Sequence, residues 1–168
     1  MKGPKKMIFG DMKMGDEQYN TAVMVMGLYG GLLQEVVKEY GWEKALEMHG
    51  KLGFQMGASS GQELKKAAGG KKLDVKLLEA ANTQMMTAFG ATFKVSEKAN
   101  SVKYEISRCP MYDGLKATGF SHVQIGKMCG AMSSKEYEGI KSVLPNVIGS
   151  AKLRTKPDGI CIEEFVIR

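Results

Sequence analysis

Between Asp16 and Tyr40 the apolar residues Tyr19, Ala22, Val23, Met26, Leu33, Val36 and Tyr40 recur at three- and four-residue steps. That spacing lines one face of a helix. Asp16 and Glu17 suit its first turn and Gly41 its end. A second helix is predicted from Trp42 to about Ala67, with Trp42, Ala45, Leu46, His49, Leu52 and Met56 as its stripe. Gly50, Gly53 and Gly57 lie close together on it. Each costs up to about 1 kcal/mol against Ala, and close packing by another helix is the expected compensation. Asp74 reads as the N-cap of a third helix with the stripe Leu77, Leu78, Ala81, Met85, Ala88 and Phe89, ended by Gly90.

The period then changes to two. Phe93 and Val95 alternate with Lys94 and Ser96, a turn follows at Ala99-Asn100-Ser101, and Val102, Tyr104 and Ile106 alternate with Lys103, Glu105 and Ser107. This is a hairpin pattern. Pro110 opens a short helix to about Thr118, since proline favours the first helical position. Another helix covers about Ser121 to Met132, and Ser133-Ser134-Lys135-Glu136 reads as a capping box that restarts a helix ending before Pro145. Two final strands, Ala151–Thr155 and Ile160–Ile167, flank a tight turn at Lys156-Pro157-Asp158-Gly159.

Runs of helices separated from runs of strands imply an α+β fold. The expectation is one domain over 16–168, helical over 16–90 and mixed over 91–168, with helices packed on one face of a four-stranded antiparallel sheet. Residues 1–15 read as an N-terminal arm. With 168 residues and 43% hydrophobic composition, a full core is within reach, and the high apolar fraction with a modest charge excess argues against disorder. No apolar run of about 18 residues points to a transmembrane helix, and no apolar segment behind the basic N-terminus points to a secretory signal.

Three cysteines at wide spacing, Cys109, Cys129 and Cys161, make a poor disulfide framework and fit a reducing, cytoplasmic setting. Two histidines, His49 and His122, are too few for histidine-rich zinc or paired di-iron sites. The net charge of +6 is concentrated in two places: four lysines against one aspartate over 1–13, and five lysines against Glu63 and Asp74 over 63–76. The rest of the chain balances, which argues against a nucleic-acid groove.

Cys109 is the foremost chemical candidate. It lies at a strand-to-helix corner, where the helix dipole favours a thiolate that can act as nucleophile or metal ligand. A buried cysteine serving as a small hydrophobe accounts for it equally well. Cys129 falls on the apolar stripe of Ile125, Met128 and Met132, while Cys161 shares a strand face with Glu163, Phe165 and Ile167. Glu163 and Glu164 are adjacent, so one of them faces the packed side of its strand. His49 lies on an apolar helix face, as a core histidine or a general base. Met85 and Met86 are candidates for an apolar pocket wall. No nucleotide-binding motif is present.

The C-terminal half carries Arg108-Cys109-Pro110 after a strand, a cysteine-containing helix, Leu144-Pro145-Asn146, Ala151-Lys152-Leu153-Arg154-Thr155-Lys156, a turn and a cysteine-containing last strand. This pattern resembles the L-2-amino-thiazoline-4-carboxylic acid hydrolase family and the related 4-vinyl reductase domain. The likeness spans about 16–168, with its specific part between 108 and 165. Cys109-Pro110 matches the family's Cys-Pro, Cys129 approximates its helix cysteine, and Glu136 is the nearest match to its acidic residue. The family's terminal cysteine slot is occupied by Glu163, with Cys161 two residues earlier.

The resemblance implies a hydrolase-like enzyme acting on a small sulfur- and nitrogen-containing, amino-acid-like compound. Cys109, Glu136 and His49 would be catalytic, with His122 as a further proton carrier. Arg108, Arg154 and Met85 would bind the substrate. The alternative is a non-catalytic binding domain with a cysteine/zinc site drawn from Cys109, Cys129, Cys161 and Glu163. A small-molecule ligand and a homodimer are the expected partners, without nucleic acid or membrane. A structural or assembly protein is the third class.

Overall fold

The computed structural model describes residues 14–168, so the expected N-terminal arm lies almost wholly outside the described residues. Five helices and four strands follow in the order α1 (Met14–Tyr40), α2 (Trp42–Ala67), α3 (Val75–Ala88), β1 (Thr92–Glu97), β2 (Ser101–Arg108), α4 (Pro110–Ala117), α5 (His122–Val143), β3 (Val147–Lys152) and β4 (Cys161–Ile167). The strands form a single antiparallel sheet in the order β1-β2-β4-β3. This is the expected α+β architecture, in a single domain.

The sheet's inner face follows from its register. Val102, Tyr104 and Ile106 of β2 stand opposite Phe165, Glu163 and Cys161 of β4, and directly opposed residues share a face. Val147, Gly149 and Ala151 of β3 continue that face beside Ile167, Phe165 and Glu163. Val102, Tyr104 and Val147 are fully buried there, with Leu78 of α3 and Ile140 of α5 packed against them. Four aromatic rings tie the layer together in a chain of edge contacts. Centroid separations are 5.8 Å for Phe93–Tyr104, 6.4 Å for Tyr104–Phe165 and 5.6 Å for Tyr137–Phe165. The Tyr104 hydroxyl donates to the Glu79 carbonyl of α3 at 3.0 Å.

The helical layer rests on glycine. Along α2, Gly53, Gly57 and Gly61 recur every four residues and face α5. A Cβ on Gly53 would lie 2.5 Å from the Met132 carbonyl oxygen, one on Gly57 would fall on the Glu136 carbonyl, and one on Gly61 would lie 3.0 Å from Val143 Cβ. From the other side, Gly139 of α5 abuts the Phe54 carbonyl. The two helices therefore touch backbone to backbone, as the glycine spacing predicts. The same device joins α1 to α4, where Gly30 meets the Thr118 side chain and Gly114 meets Met26.

Three expectations need correction. α5 is one unbroken helix rather than two. Its capping box is Ser121/Gln124, with the Ser121 hydroxyl accepting from Gln124 N–H and the Gln124 side chain accepting from Ser121 N–H at 2.9 Å. Ser133 and Glu136 lie mid-helix, where backbone N–H groups are already engaged within the helix. β3 spans Val147–Lys152 rather than Ala151–Thr155. Gly149 disguises the strand because its missing side chain makes room for the Tyr137 ring. On α3 the buried positions are Val75, Leu78, Asn82 and Met86, while Met85 is 43% exposed. The stripe is displaced because α3 faces the sheet through Leu78 and Met86.

A methyl group at Gly57 has no room, whereas Gly31 of α1 faces open space. Gly57→Ala is expected to lose about 1–3 kcal/mol, and Gly31→Ala to gain up to about 1 kcal/mol, read from urea unfolding midpoints. Equal effects from the two substitutions would refute the backbone contact.

Candidate active site

The strand-to-helix corner after β2 places Cys109 at the N-cap of α4. Backbone N–H groups of Met111 and Tyr112 draw its thiol pKa down, but burial outweighs them and holds it above the ordinary value. Cys109 is wedged between the two core clusters: it packs against the sheet cluster and also against the cluster of Leu33, Tyr112, Leu115, Phe120, Ile125 and Met128. Cys129 packs against the second cluster, and burial pushes its thiol up to about 12. Both thiols are thus biased to the neutral form at neutral pH.

Cys161 opens β4 on the sheet's inner face and packs against the sheet cluster. Its sulfur accepts the backbone N–H of Arg154 at 3.4 Å and the Arg154 Nε–H at 3.5 Å. The connection between β3 and β4 thus folds its arginine back onto the strand that follows. Nη1 of Arg154 donates to the Pro157 carbonyl at 3.4 Å, and the guanidinium carbon stands 4.6 Å from the Tyr112 ring centroid. Nη2 is buried and has no hydrogen-bond partner among the described residues. The Tyr112 hydroxyl pairs with His122 Nδ1 at 2.9 Å. Cys109, Cys161, Arg154 and Tyr112 are within electrostatic range of one another.

Two carboxyls complete the cluster. Glu136 occupies the i, i+4 ridge of α5 between the buried Met132 and Ile140. Glu163 stands on the inner face of the sheet, between Tyr104 and Ala151. Burial pushes both up to about 7, and the charge of Glu136 adds to the rise at Glu163. The buried Tyr137 hydroxyl, without a hydrogen-bond partner among the described residues, lies in the field of both.

The other candidates are placed elsewhere. Arg108 points away from Cys109, as strand alternation requires. It pairs with Asp16 at 2.9 Å and stacks on Tyr19 with its guanidinium carbon 3.4 Å from the ring centroid. The Tyr19 hydroxyl in turn donates to Asp113, so this group latches the start of α1 onto β2 and α4. His49 is 1% exposed. Its Nδ1 pairs with the Tyr29 hydroxyl at 2.6 Å, its Nε2 has no partner among the described residues, and burial lowers its pKa to about 4. Two open surface grooves, of about 530 and about 660 Å³, contain no cysteine; the first is lined by Lys65, Lys66, Lys71 and Lys72.

Zinc fits these residues poorly. Among the described residues, no three His, Cys, Asp or Glu side chains converge as a metal site requires. The position beside Cys161 is already taken by a guanidinium cation. Cys109, Cys129, Cys161 and Glu163 surround the same region without forming a ligand cage among the described residues. Sequence inspection passed over Tyr112 and Tyr137. Tyr112 carried a weak signal, three residues into the helix that Cys109 caps, while Tyr137 is reached only through the packing of α5 on β3.

The carboxyls give the fold a pH signature. Their ordinary value is 4.5 and their folded value about 7. The folded chain therefore holds extra protons between those limits. The stability this gives is complete below the lower value and is lost as pH rises through the upper one. His49 acts in the opposite sense, its contribution being present above 6.5 and lost as pH falls toward about 4. Glu163→Gln removes one carboxyl and leaves His49 untouched. Relative to the parent chain it is expected to be more stable at about pH 8 than at about pH 5, by about 1–3 kcal/mol. A pH-independent difference in urea midpoints would contradict this.

A family model described as L-2-amino-thiazoline-4-carboxylic acid hydrolase matches residues 21–148. No curated protein matches the chain. The matched span covers most of the sequence and includes Cys109, Cys129 and Glu136, while Arg154, Cys161 and Glu163 lie beyond it. The chain therefore belongs to the L-2-amino-thiazoline-4-carboxylic acid hydrolase family.

Proposed function

We propose that this protein hydrolyses a small, carboxylate-bearing ring compound of the kind its family name describes, at the cluster of Cys109, Cys161, Arg154, Glu136 and Glu163. The observation that carries this reading is the buried, unpartnered Nη2 of Arg154 beside a thiol. A buried guanidinium nitrogen left without an acceptor is costly. A substrate carboxylate would satisfy it with a charge-assisted hydrogen bond.

In a hydrolytic ring opening, one water is consumed. Its oxygen joins the carbon between ring nitrogen and ring sulfur, the carbon–sulfur bond breaks, and the departing sulfur takes a proton. The carboxyls of Glu136 and Glu163, with pKa values of about 7, are suited to giving and taking protons near neutrality. A thiol in the cluster would supply the nucleophile. His49, neutral at that pH and bonded to Tyr29, ties α2 to α1 in this reading. Arg108 and Met85 take no part, being turned to the α1 latch and to the surface.

Incubation with L-2-amino-thiazoline-4-carboxylic acid is expected to release a free thiol, followed with a thiol-reactive chromophore. Arg154→Met is expected to raise KM about tenfold or more, the worth of a hydrogen bond to a charged group. Absence of thiol release, or an unchanged KM in the variant, would overturn the assignment.

A further inference from the structure

The family pattern draws attention to Cys109, yet the geometry points to a different thiol. We propose that Cys161 is the nucleophile of this site and that Arg154 is the counter-ion of its sulfur as it attacks. This rests on the hydrolytic reading above and names the atom that carries it.

A thiolate requires positive charge or donors aimed at the sulfur. Cys161 has both, in the backbone N–H of Arg154 at 3.4 Å and its Nε–H at 3.5 Å. The arginine is itself fixed, by the Pro157 carbonyl on one side and the Tyr112 ring beneath. Its remaining nitrogen, Nη2, is buried and unengaged among the described residues. One guanidinium therefore presents a sulfur and an open anion-binding position side by side. A substrate held there by its carboxylate would stand next to Cys161.

The other two thiols are built into the packing. Cys109 joins the two core clusters and Cys129 lies in the second, and desolvation disfavours the charge of both. Backbone N–H groups at the start of α4 do not reverse this for Cys109. The titratable and charged groups acting on Cys161 are Arg154 from the β3–β4 connection, Cys109 and Tyr112 from the α4 corner, and Cys129 and Tyr137 from α5; Glu163 lies two residues along the same strand face and is coupled to Glu136. Arg154 is the permanent cation among them.

The step balances as follows. Cys161 Sγ forms a bond to the carbon between ring nitrogen and ring sulfur. The carbon–ring sulfur bond breaks, its electron pair leaves with the sulfur, and the sulfur takes a proton from the protonated carboxyl of the Glu136–Glu163 pair. Glu163 lies two residues from Cys161 on the same sheet face. Water then gives one proton back to the carboxylate and adds its oxygen to the same carbon. The bond to Cys161 breaks with its pair returning to sulfur, and the second water hydrogen moves to nitrogen as the carbonyl forms.

Limited alkylation of the full chain with iodoacetamide at neutral pH, mapped by peptide mass, tests the assignment without any substrate. Cys161 is expected to react about tenfold faster than Cys109 or Cys129, because donors reach its sulfur while burial disfavours charge on the other two. Arg154→Met is expected to slow Cys161 by about the same factor, with its fold checked by circular dichroism. If Cys109 or Cys129 reacts first, or if all three react alike, the proposal is overturned. A folded Arg154→Met chain with unchanged Cys161 reactivity overturns it too. Should Arg154→Met fail to fold, the order of reaction in the parent chain decides. The predicted order without turnover of the aminothiazoline would sustain Cys161 as the reactive thiol while removing the hydrolytic reading. Turnover retained by Cys161→Ala would remove Cys161 as nucleophile.

Discussion

Direct backbone contact between α2 and α5 is the constraint on which the rest of the structure depends. Gly53 and Gly57 on one helix and Gly139 on the other remove the side chains that would hold the axes apart. Packed helix axes lie about 8–10 Å apart, and larger side chains at the contact move them toward the wide end of that range. This close approach commits one face of α5 to α2 and turns its neighbouring ridge, with Tyr137 and Ile140, onto the sheet. Glu136 lies on the α2-facing backbone and is carried inward by the same commitment. A carboxyl in that position is a consequence of helix geometry before it is a chemical group.

Burial then sets the chemistry of the cluster. Glu136 and Glu163 have no ion-pair partner among the described residues, so desolvation, joined at Glu163 by the charge of Glu136, pushes both up to about 7. The same desolvation quiets Cys109 and Cys129. At Cys161 a cation reaches the sulfur. The surroundings of three identical side chains therefore differ: Cys109 fills the junction of the two core clusters, Cys129 packs into the second, and Cys161 stands at a strand end where a connecting segment folds back over it.

Much of this was readable along the chain. The α2 boundaries, the Asp74 cap, the β1–β2 hairpin, the Pro110 helix start and the antiparallel α+β arrangement follow from periodicity and local capping chemistry, which act over a few residues and leave a direct trace in sequence. The errors arose where a tertiary contact overrode a local signal. Ser133 to Glu136 has the composition of a capping box but remains helical against α2, and Gly149 has the look of a break but is a strand position cleared for Tyr137.

The sequence by itself determined the elements, the glycine spacing that allows two helices to touch, and the residue types available for chemistry. It also placed Cys161 and Glu163 on one strand face, because alternation is a property of the strand alone. Only the tertiary structure decided which of these residues meet. It sent Arg108 to Asp16 and Tyr19, far along the chain, and brought Arg154 onto Cys161 and Tyr112. Both are arginines beside a strand end, and nothing local distinguishes them. Their roles diverge because a side chain's charge acts on whatever lies within a few ångströms in space, and that neighbourhood is set by how the sheet and helices close on one another.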